Sequence, residues 1–256
     1  MTAAAEEIPL ADDATFLGAE SLAAEIMKAV FAVHVPGDPT NEGKQTWLSI
    51  GSGFFAGDNT ATFSITCKHF VYAAGKEKKE LYVGFDTDKG YRRFPAKILY
   101  IDPENDIAIL LAQIPLDEAK AINFQNIKVP FDQFDDGTSL VVGRGLLITG
   151  YPLTLGTEED RNHPVIRFGM IAQNTGKSAF LIDGLASHEN GGSPVGTLKG
   201  TKYRLSGMIT LFAGDRITLF DKNGQMSASL PYNSGLIRAV RASLILKAIN
   251  EAKKKL

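Results

Sequence analysis

The feature that most constrains this chain is a succession of short apolar segments separated by turn residues. The segment Val30-Phe-Ala-Val-His-Val35 alternates in the manner of a strand, and Pro36-Gly37 follows at once. Such a pattern predicts a half-buried strand that ends in a turn. Similar segments recur about every ten residues, which is typical of a β-sandwich or a β-barrel. We therefore expect strands over residues 30–35, 47–56, 61–66, 81–85, 92–101, 106–111, 145–149, 164–172, 179–185, 203–212 and 236–240.

Helices are predicted at both ends of the strand-rich region. Apolar residues at near-helical spacing over 16–27 indicate a short N-terminal helix, and the acidic, alanine-rich residues 1–13 are expected to be flexible. Residues 242–254 place apolar side chains on one face and lysines elsewhere, which predicts an amphipathic C-terminal helix. We divide the chain into this flexible N-terminus, a first half over 14–134 with an irregular crossover at 115–134, and a second half over 135–256.

Composition and charge exclude several functional classes. The 256 residues are 44% hydrophobic and 22% charged, which is ordinary for a globular protein. A net charge of −2 gives no electrostatic reason to expect nucleic acid or an anionic membrane as partner. Cys67 is the only cysteine, so neither an intrachain disulfide nor a cysteine zinc site can form. We predict no metal and no cofactor, and the acidic first residues, unlike a signal peptide, predict a cytoplasmic location.

A glycine-rich turn follows the predicted strand over 179–185. In Asn190-Gly-Gly-Ser-Pro194, two adjacent glycines precede a proline. A turn of this composition presents backbone N–H groups on a tight curve, which is how proteins build an oxyanion hole or an anion-binding nest. The sequence therefore predicts that chemistry or ligand binding is concentrated at this turn.

This turn resembles the Gly-Asn-Ser-Gly-Ser/Gly-Pro-Val turn of trypsin-like serine peptidases, in which the middle serine is the nucleophile. Other segments resemble landmarks of the bacterial, disulfide-free members of that family, in the same order along roughly residues 30–250. The resemblance implies an all-β fold of two packed six-stranded antiparallel β-barrels with a short helix at each end. The segments are Gly51-Ser-Gly-Phe-Phe55, Ser64-Ile-Thr-Cys-Lys-His69, Asp102-Pro-Glu-Asn-Asp-Ile-Ala-Ile-Leu110, Gly150-Tyr-Pro152, Arg167-Phe-Gly-Met-Ile171 and Asn233-Ser-Gly-Leu236.

The resemblance also implies a catalytic site from which one member is missing. His69 matches the general base and Asp106 the acid that orients it, whereas Gly191 stands at the nucleophile position and has no hydroxyl. The oxyanion hole would be formed by the backbone at Glu189, Asn190 and Gly191. Glu189 departs from the family pattern, which has glycine there, and its carboxylate would oppose a developing oxyanion. Both departures predict loss of catalysis.

The resemblance also implies where the primary specificity pocket would lie, but says little about which side chains it would accept. By resemblance, Leu185 and Ala186 before the turn, together with Ser206, Gly207 and Met208 on a later strand, would form its walls. Leu185 offers no acid to pair with a basic side chain, so we expect a small or apolar pocket.

Two functions are compatible with these residues. In the first, the protein is a catalytically inactive pseudopeptidase that binds a peptide or protein ligand in its cleft or has a regulatory role. In the second, it is a serine endopeptidase, which hydrolyses peptide bonds through an acyl-enzyme, present in a nucleophile-replaced form. The additional change at Glu189 favours natural loss. Two routes to residual chemistry stay open: a turn slipped by two residues that presents Ser193, which Pro194 hinders, and a water activated by His69 in the space left by Gly191.

Overall fold

The computed structural model describes residues 23–73, 76–77, 80–151, 163–174, 176–185, 190–199 and 202–256. The strands of the first half are β1 (Val30–Pro36), β2 (Trp47–Gly57), β3 (Thr62–Cys67), β4 (Tyr72–Ala73), β5 (Lys76–Glu77), β6 (Tyr82–Phe85), β7 (Arg92–Asp102) and β8 (Ile107–Ala112). Six of them follow one another in the order β1-β6-β7-β8-β3-β2, and β2 pairs back onto β1. They therefore form a closed antiparallel barrel.

The second half forms a barrel of the same strand number. The strands are β9 (Val129–Pro130), β10 (Gly145–Gly150), β11 (Val165–Gln173), β12 (Ala179–Gly184), β13 (Pro194–Lys199), β14 (Lys202–Phe220) and β15 (Met226–Arg241). Six of them close in the order β10-β11-β12-β15-β14-β13, and the short β9 pairs with β2 of the first barrel. The predicted fold of two six-stranded antiparallel barrels is confirmed.

The helices flank the barrels or lie between them. The C-terminal helix forms as predicted and spans Ala242–Lys253. Of the predicted N-terminal helix, residues 23–27 are helical. Residues 16–22 and the predicted flexible residues 1–13 lie outside the described residues. The crossover is more regular than predicted, because it contains the helix Leu116–Ala121 and two 3₁₀ turns. Acidic residues in the first turn of that helix complement its dipole, which explains the order there. We name the helices α1 (Lys68–Val71), α2 (Leu116–Ala121) and α3 (Ala242–Lys253). Among the described residues, no helix is both long and apolar enough to cross a membrane.

Of the three apolar clusters found in the described part of the chain, the two larger ones fill the barrels. The larger one is built on buried phenylalanines of the first barrel, and it takes in α3 and Met208 of β14. The smaller one fills the second barrel with branched aliphatic residues such as Ile148, Ile171 and Ile237. Because α3 and β14 both contribute to the larger cluster, the first barrel is packed against a strand of the second barrel and against the C-terminal helix.

Two parts of the second barrel differ from the sequence prediction. Strand β13 was not predicted, and β14 and β15 run far beyond the predicted segments 203–212 and 236–240. They stay paired from Gly207–Arg241 to Phe220–Met226, where Gly224 in the left-handed region (φ 75°) closes the turn. Cross-strand pairing therefore extends the hairpin through residues whose own sequence predicts little structure.

Candidate active site

His69 and Asp106 meet because their strands are neighbours. Helix α1 follows β3 directly and carries His69, whereas Asp106 immediately precedes β8, and β3 pairs with β8 through Cys67 and Ile107. His69 Nδ1 and Asp106 Oδ2 are 2.7 Å apart, and the His69 backbone N–H donates to Asp106 Oδ1 at 3.0 Å. One carboxylate thus holds both the ring and the main chain of the histidine. This leaves Nε2 on the side away from Asp106, as a general base requires.

The backbone at Asp106 is unusual and locally supported. Its φ of 58° lies in the left-handed region, where aspartate and asparagine are the best tolerated residues apart from glycine. Its carbonyl oxygen accepts a hydrogen bond from the Lys68 N–H at 3.1 Å. The main chain and side chain of Asp106 therefore both contact α1, which fixes the orientation of the histidine.

The glycine-rich turn is fastened to both barrels. Ser52 N–H donates to the Gly191 carbonyl at 2.9 Å, and Gly192 N–H donates to the Ile209 carbonyl at 2.8 Å. Gly192 is conformationally required, because its φ is +82° and an added Cβ would overlap the Ser52 carbonyl oxygen. The turn therefore has a single, well-determined path between β2 and β14.

These bonds narrow the set of amides that could serve an oxyanion. The N–H groups of Gly192 and Ser193 are occupied, since Ser193 N–H donates to the Asn190 carbonyl at 3.0 Å. Of the predicted oxyanion-hole residues, Asn190 and Gly191 belong to the described part of the chain, and Glu189 lies outside it. The assignment of an oxyanion hole to this backbone stays a prediction.

Gly191 lies beside the segment that carries the base. A Cβ placed on it would be 3.7 Å from Cys67 Sγ and 2.7 Å from Cζ of Phe70, the residues that flank Lys68 and His69. The structure therefore places Gly191 against the segment of the first barrel that carries His69. Phe70 is a contact that the sequence prediction did not include, although it directly follows His69.

Ser193 is not presented to this site. Its side chain is fully buried, and its hydroxyl has no hydrogen-bond partner among the described residues. A Cβ placed on Gly150 would overlap the Ser193 Oγ, so the hydroxyl points beneath the turn against β10. The slipped turn that would make Ser193 a nucleophile is absent from this structure.

The thiol of Cys67 lies close to Gly191 and could in principle act as a nucleophile, but its environment keeps it protonated and neutral. The Sγ donates to the Ile209 carbonyl at 3.2 Å. Burial, together with the negative charge of Asp106, raises the pKa of the Cys67 thiol well above its usual range. Because the thiolate is the reactive form, this thiol is unsuited to nucleophilic attack near neutral pH.

Cys67, His69 and Asp106 are also the one group of potential metal ligands found among the described residues, with their ligand atoms within 4.8 Å of one another. However, the Cys67 thiol and the His69 Nδ1 both make hydrogen bonds within the protein. A metal would need the thiolate that this environment disfavours. The predicted lack of a metal is thus compatible with the chemistry of the group and stays a prediction.

The residues predicted to form the primary pocket differ in exposure. Leu185 is 70% exposed, and Ala186 lies outside the described residues. Ser206 and Met208 are buried, with Ser206 Oγ 3.4 Å from Thr197 Oγ1, and a Cβ on Gly207 would overlap a backbone carbonyl of β15. The assignment of Ser206, Gly207 and Met208 to a pocket wall stays a prediction.

The solvent-facing part of β14 begins further along the strand. Leu211 is 59% exposed, and it lies two residues after Ile209, whose carbonyl accepts bonds from Cys67 and Gly192. The sequence prediction did not include Leu211, because a stretch of apolar residues does not reveal which of them are exposed to solvent.

A hydrogen-bonded histidine–aspartate pair on one β-barrel, set beside a glycine-rich turn of a second barrel, defines a scaffold of the chymotrypsin type. The family model described as trypsin-like peptidase domain matches residues 51–201, more than half of the chain, and the protein belongs to this family.

Solved structures agree on the fold. An HtrA-type protease, AlgW with a decapeptide, is similar with a TM-score of 0.62 and 16% identity over 93% of this chain and 67% of its own. The MamO protease domain from Magnetospirillum magneticum, in its apo form, is similar with a TM-score of 0.54 and 21% identity over 87% of this chain and 96% of its own. No curated protein sequence matches the chain.

Proposed function

We propose that this protein is a pseudopeptidase that binds peptides on a trypsin-like scaffold without cleaving them. The observation that carries the proposal is Gly191, which lies at the turn beside the hydrogen-bonded pair of His69 and Asp106. A base without a hydroxyl to deprotonate cannot start acyl transfer. Removing the nucleophile from a triad of this kind costs about 10⁶ in kcat.

The course of β14 supports binding of an extended peptide. Its ladder with β13 ends at the pair Pro194–Met208, whereas β14 itself continues to Phe220. Ile209 is still bonded to the turn and to Cys67, and beyond it the strand continues and presents the exposed Leu211. An extended peptide can add to such a strand through main-chain hydrogen bonds, with side-chain contacts supplying selectivity. AlgW was solved with a decapeptide, which is consistent with a peptide ligand on this fold.

The second candidate function is a serine endopeptidase in nucleophile-replaced form. It is favoured by the geometry of His69 and Asp106, whose 2.7 Å contact is what a working base would need. Glu189 argues against it, because replacement of a nucleophile to trap an inactive form requires only a change at residue 191.

Activity and binding can be tested on the unmodified chain. We expect no labelling by a fluorophosphonate probe and no release of fluorescence from fluorescein-labelled casein. In fluorescence polarisation with pools from a positional-scanning decapeptide library, we expect saturable binding of at least one pool. Labelling of any serine would refute the inactive assignment, and failure of every pool to bind would refute the peptide-binding assignment.

The location of the peptide can be tested with two matched leucines of the long hairpin. Leu211 and Leu230 are similarly exposed, at 59% and 53%, but only Leu211 lies close to the Cys67 contact on β14. We expect Leu211→Asp to weaken binding of the selected pool by about tenfold or more, because it places a charge in an apolar contact. Leu230→Asp is expected to leave the affinity within about twofold. Equal losses would place the peptide elsewhere.

A further inference from the structure

We propose that Phe70 occupies the space that a nucleophilic side chain would need, so that the site is closed by an aromatic ring as well as by the loss of a hydroxyl. This inference rests on the proposed function only in treating residue 191 as the nucleophile position. The ring of Phe70 leaves no room for a side chain at residue 191, so residue 191 has to be glycine as long as residue 70 is phenylalanine.

The ring of Phe70 lies against two backbones that carry no side chain. A Cβ on Gly191 would be 2.7 Å from Phe70 Cζ, closer than real Cβ atoms approach, and 3.0 Å from Phe70 Cε2, which is also a tight contact. A Cβ on Gly51, in β2, would overlap the same ring. Gly51 and Gly191 together therefore form a slot that fits the ring, and any larger residue at either position would displace it.

The requirement for glycine at residue 191 is one of space and not of backbone conformation. The φ of Gly191 lies outside the left-handed region, whereas the neighbouring Gly192 has a φ of +82°. A serine at 191 could thus adopt the observed backbone without strain. What prevents it is the position of Phe70.

The ring also changes what the base can do. The ring centroids of His69 and Phe70 are 4.2 Å apart, and Phe70 contacts Gly191 on the turn. The space beside the base is thus lined by an apolar ring. A hydrolytic water there would need room and several polar partners, and the ring supplies neither. Slow hydrolysis by a water activated at His69 is therefore not expected.

The ring is held in this position by the core. Phe70 is only 8% exposed and belongs to the larger apolar cluster, together with its neighbours Cys67 and Val71. Turning the ring towards solvent would expose this side chain and leave a void beside the cluster. A serine at 191 would consequently destabilise the fold instead of restoring a nucleophile.

A double-mutant cycle on thermal unfolding tests this coupling. Gly191→Ser is expected to lower Tm by about 5 °C in the wild-type background and by about 1 °C or less in a Phe70→Val background. Gly145→Ser provides the matched control, since the nearest atom to an added Cβ there is Gly169 O at 4.0 Å and its φ is ordinary. It is expected to lower Tm by only about 1 °C. Equal Tm losses for Gly191→Ser in both backgrounds would overturn the proposal, and Gly191→Ala serves the same cycle if the serine variant does not fold.

A chemical readout separates this proposal from the proposed function. With Glu189→Gly present throughout, we expect the fluorophosphonate probe to label Gly191→Ser with Phe70→Val at least about tenfold faster than Gly191→Ser alone. Equal, measurable rates would refute the blocking role of Phe70. If neither variant is labelled, the assignment of His69 as a base fails, and the Tm cycle still decides whether Phe70 and residue 191 compete for space. Labelling of the unmodified chain would refute the proposed function without affecting the cycle.

Discussion

The buried His34 should make the stability of this protein fall as the solution is acidified below about pH 6.5. His34 lies on β1, is 5% exposed, and is hydrogen-bonded through Nε2 to the Tyr91 hydroxyl at 2.7 Å. Burial, and secondarily the positive charge of Arg93, lowers its pKa from 6.5 to about 3. The folded state therefore keeps this ring neutral at a pH at which the unfolded chain takes up a proton.

The difference between the pKa of His34 in the folded and in the unfolded state sets the sign and the size of the change in stability with pH. Between pH 6.5 and about pH 3 the unfolded state binds more protons at His34, so the free energy of unfolding falls as the pH falls. From pH 7 to pH 5 the expected loss from this one group is about 2 kcal/mol, at about 1.4 kcal/mol per pH unit once the pH is well below 6.5.

Urea unfolding at pH 7, 6 and 5 measures this loss directly. The matched variant is His34→Gln, which keeps a polar side chain of similar size but has no titrating group. We expect it to be less stable than the wild type at pH 7 and to lose about 2 kcal/mol less between pH 7 and pH 5. Identical pH dependence in the two proteins would show that His34 is protonated as readily in the folded state as in the unfolded chain, and that burial does not lower its pKa.

Three further predictions follow from single contacts. Cys67 should resist alkylation by iodoacetamide at pH 8 until urea unfolds the protein, because burial and the charge of Asp106 raise the pKa of its thiol. Mass spectrometry can follow the alkylation, and rapid modification of the folded protein would contradict this prediction. Gly192→Ala should lower the free energy of unfolding by about 3 kcal/mol or more, because the left-handed backbone and the overlap with β2 act together. Its control, Gly43→Ala, has a φ of +76° but open space around it, so a urea titration should give a loss of only about 1 kcal/mol; equal losses would exclude the overlap. Ile249→Ala should lower the free energy of unfolding by about 3 kcal/mol, because this fully buried residue packs α3 onto the core of the first barrel. A loss under about 1 kcal/mol in a urea titration would show that the helix is not packed there.

Much of the fold could be predicted from local patterns. The segments predicted as strands over 30–35 and 47–56 correspond to β1 (Val30–Pro36) and β2 (Trp47–Gly57), and the predicted C-terminal helix ends one residue early. These elements were predictable because alternation, helical periodicity and turn residues act within a few positions of one another. Strand β13 was missed because Pro194 and Gly196 weaken any local strand signal, and pairing with β10 and β14 supplies the order instead.

The candidate site divides in the same way. Local sequence shows which residue types are available: a histidine after one strand, an aspartate before another, and a turn whose residue 191 is glycine. Their spatial relations come from the folded sheet, because the ladder between β3 and β8 brings His69 to within 2.7 Å of Asp106 across 37 positions of sequence. Folding also buries Ser206 and Met208 and places Phe70 against Gly191. Contacts of this kind depend on sheet register and on packing between distant segments, and local sequence carries no record of either.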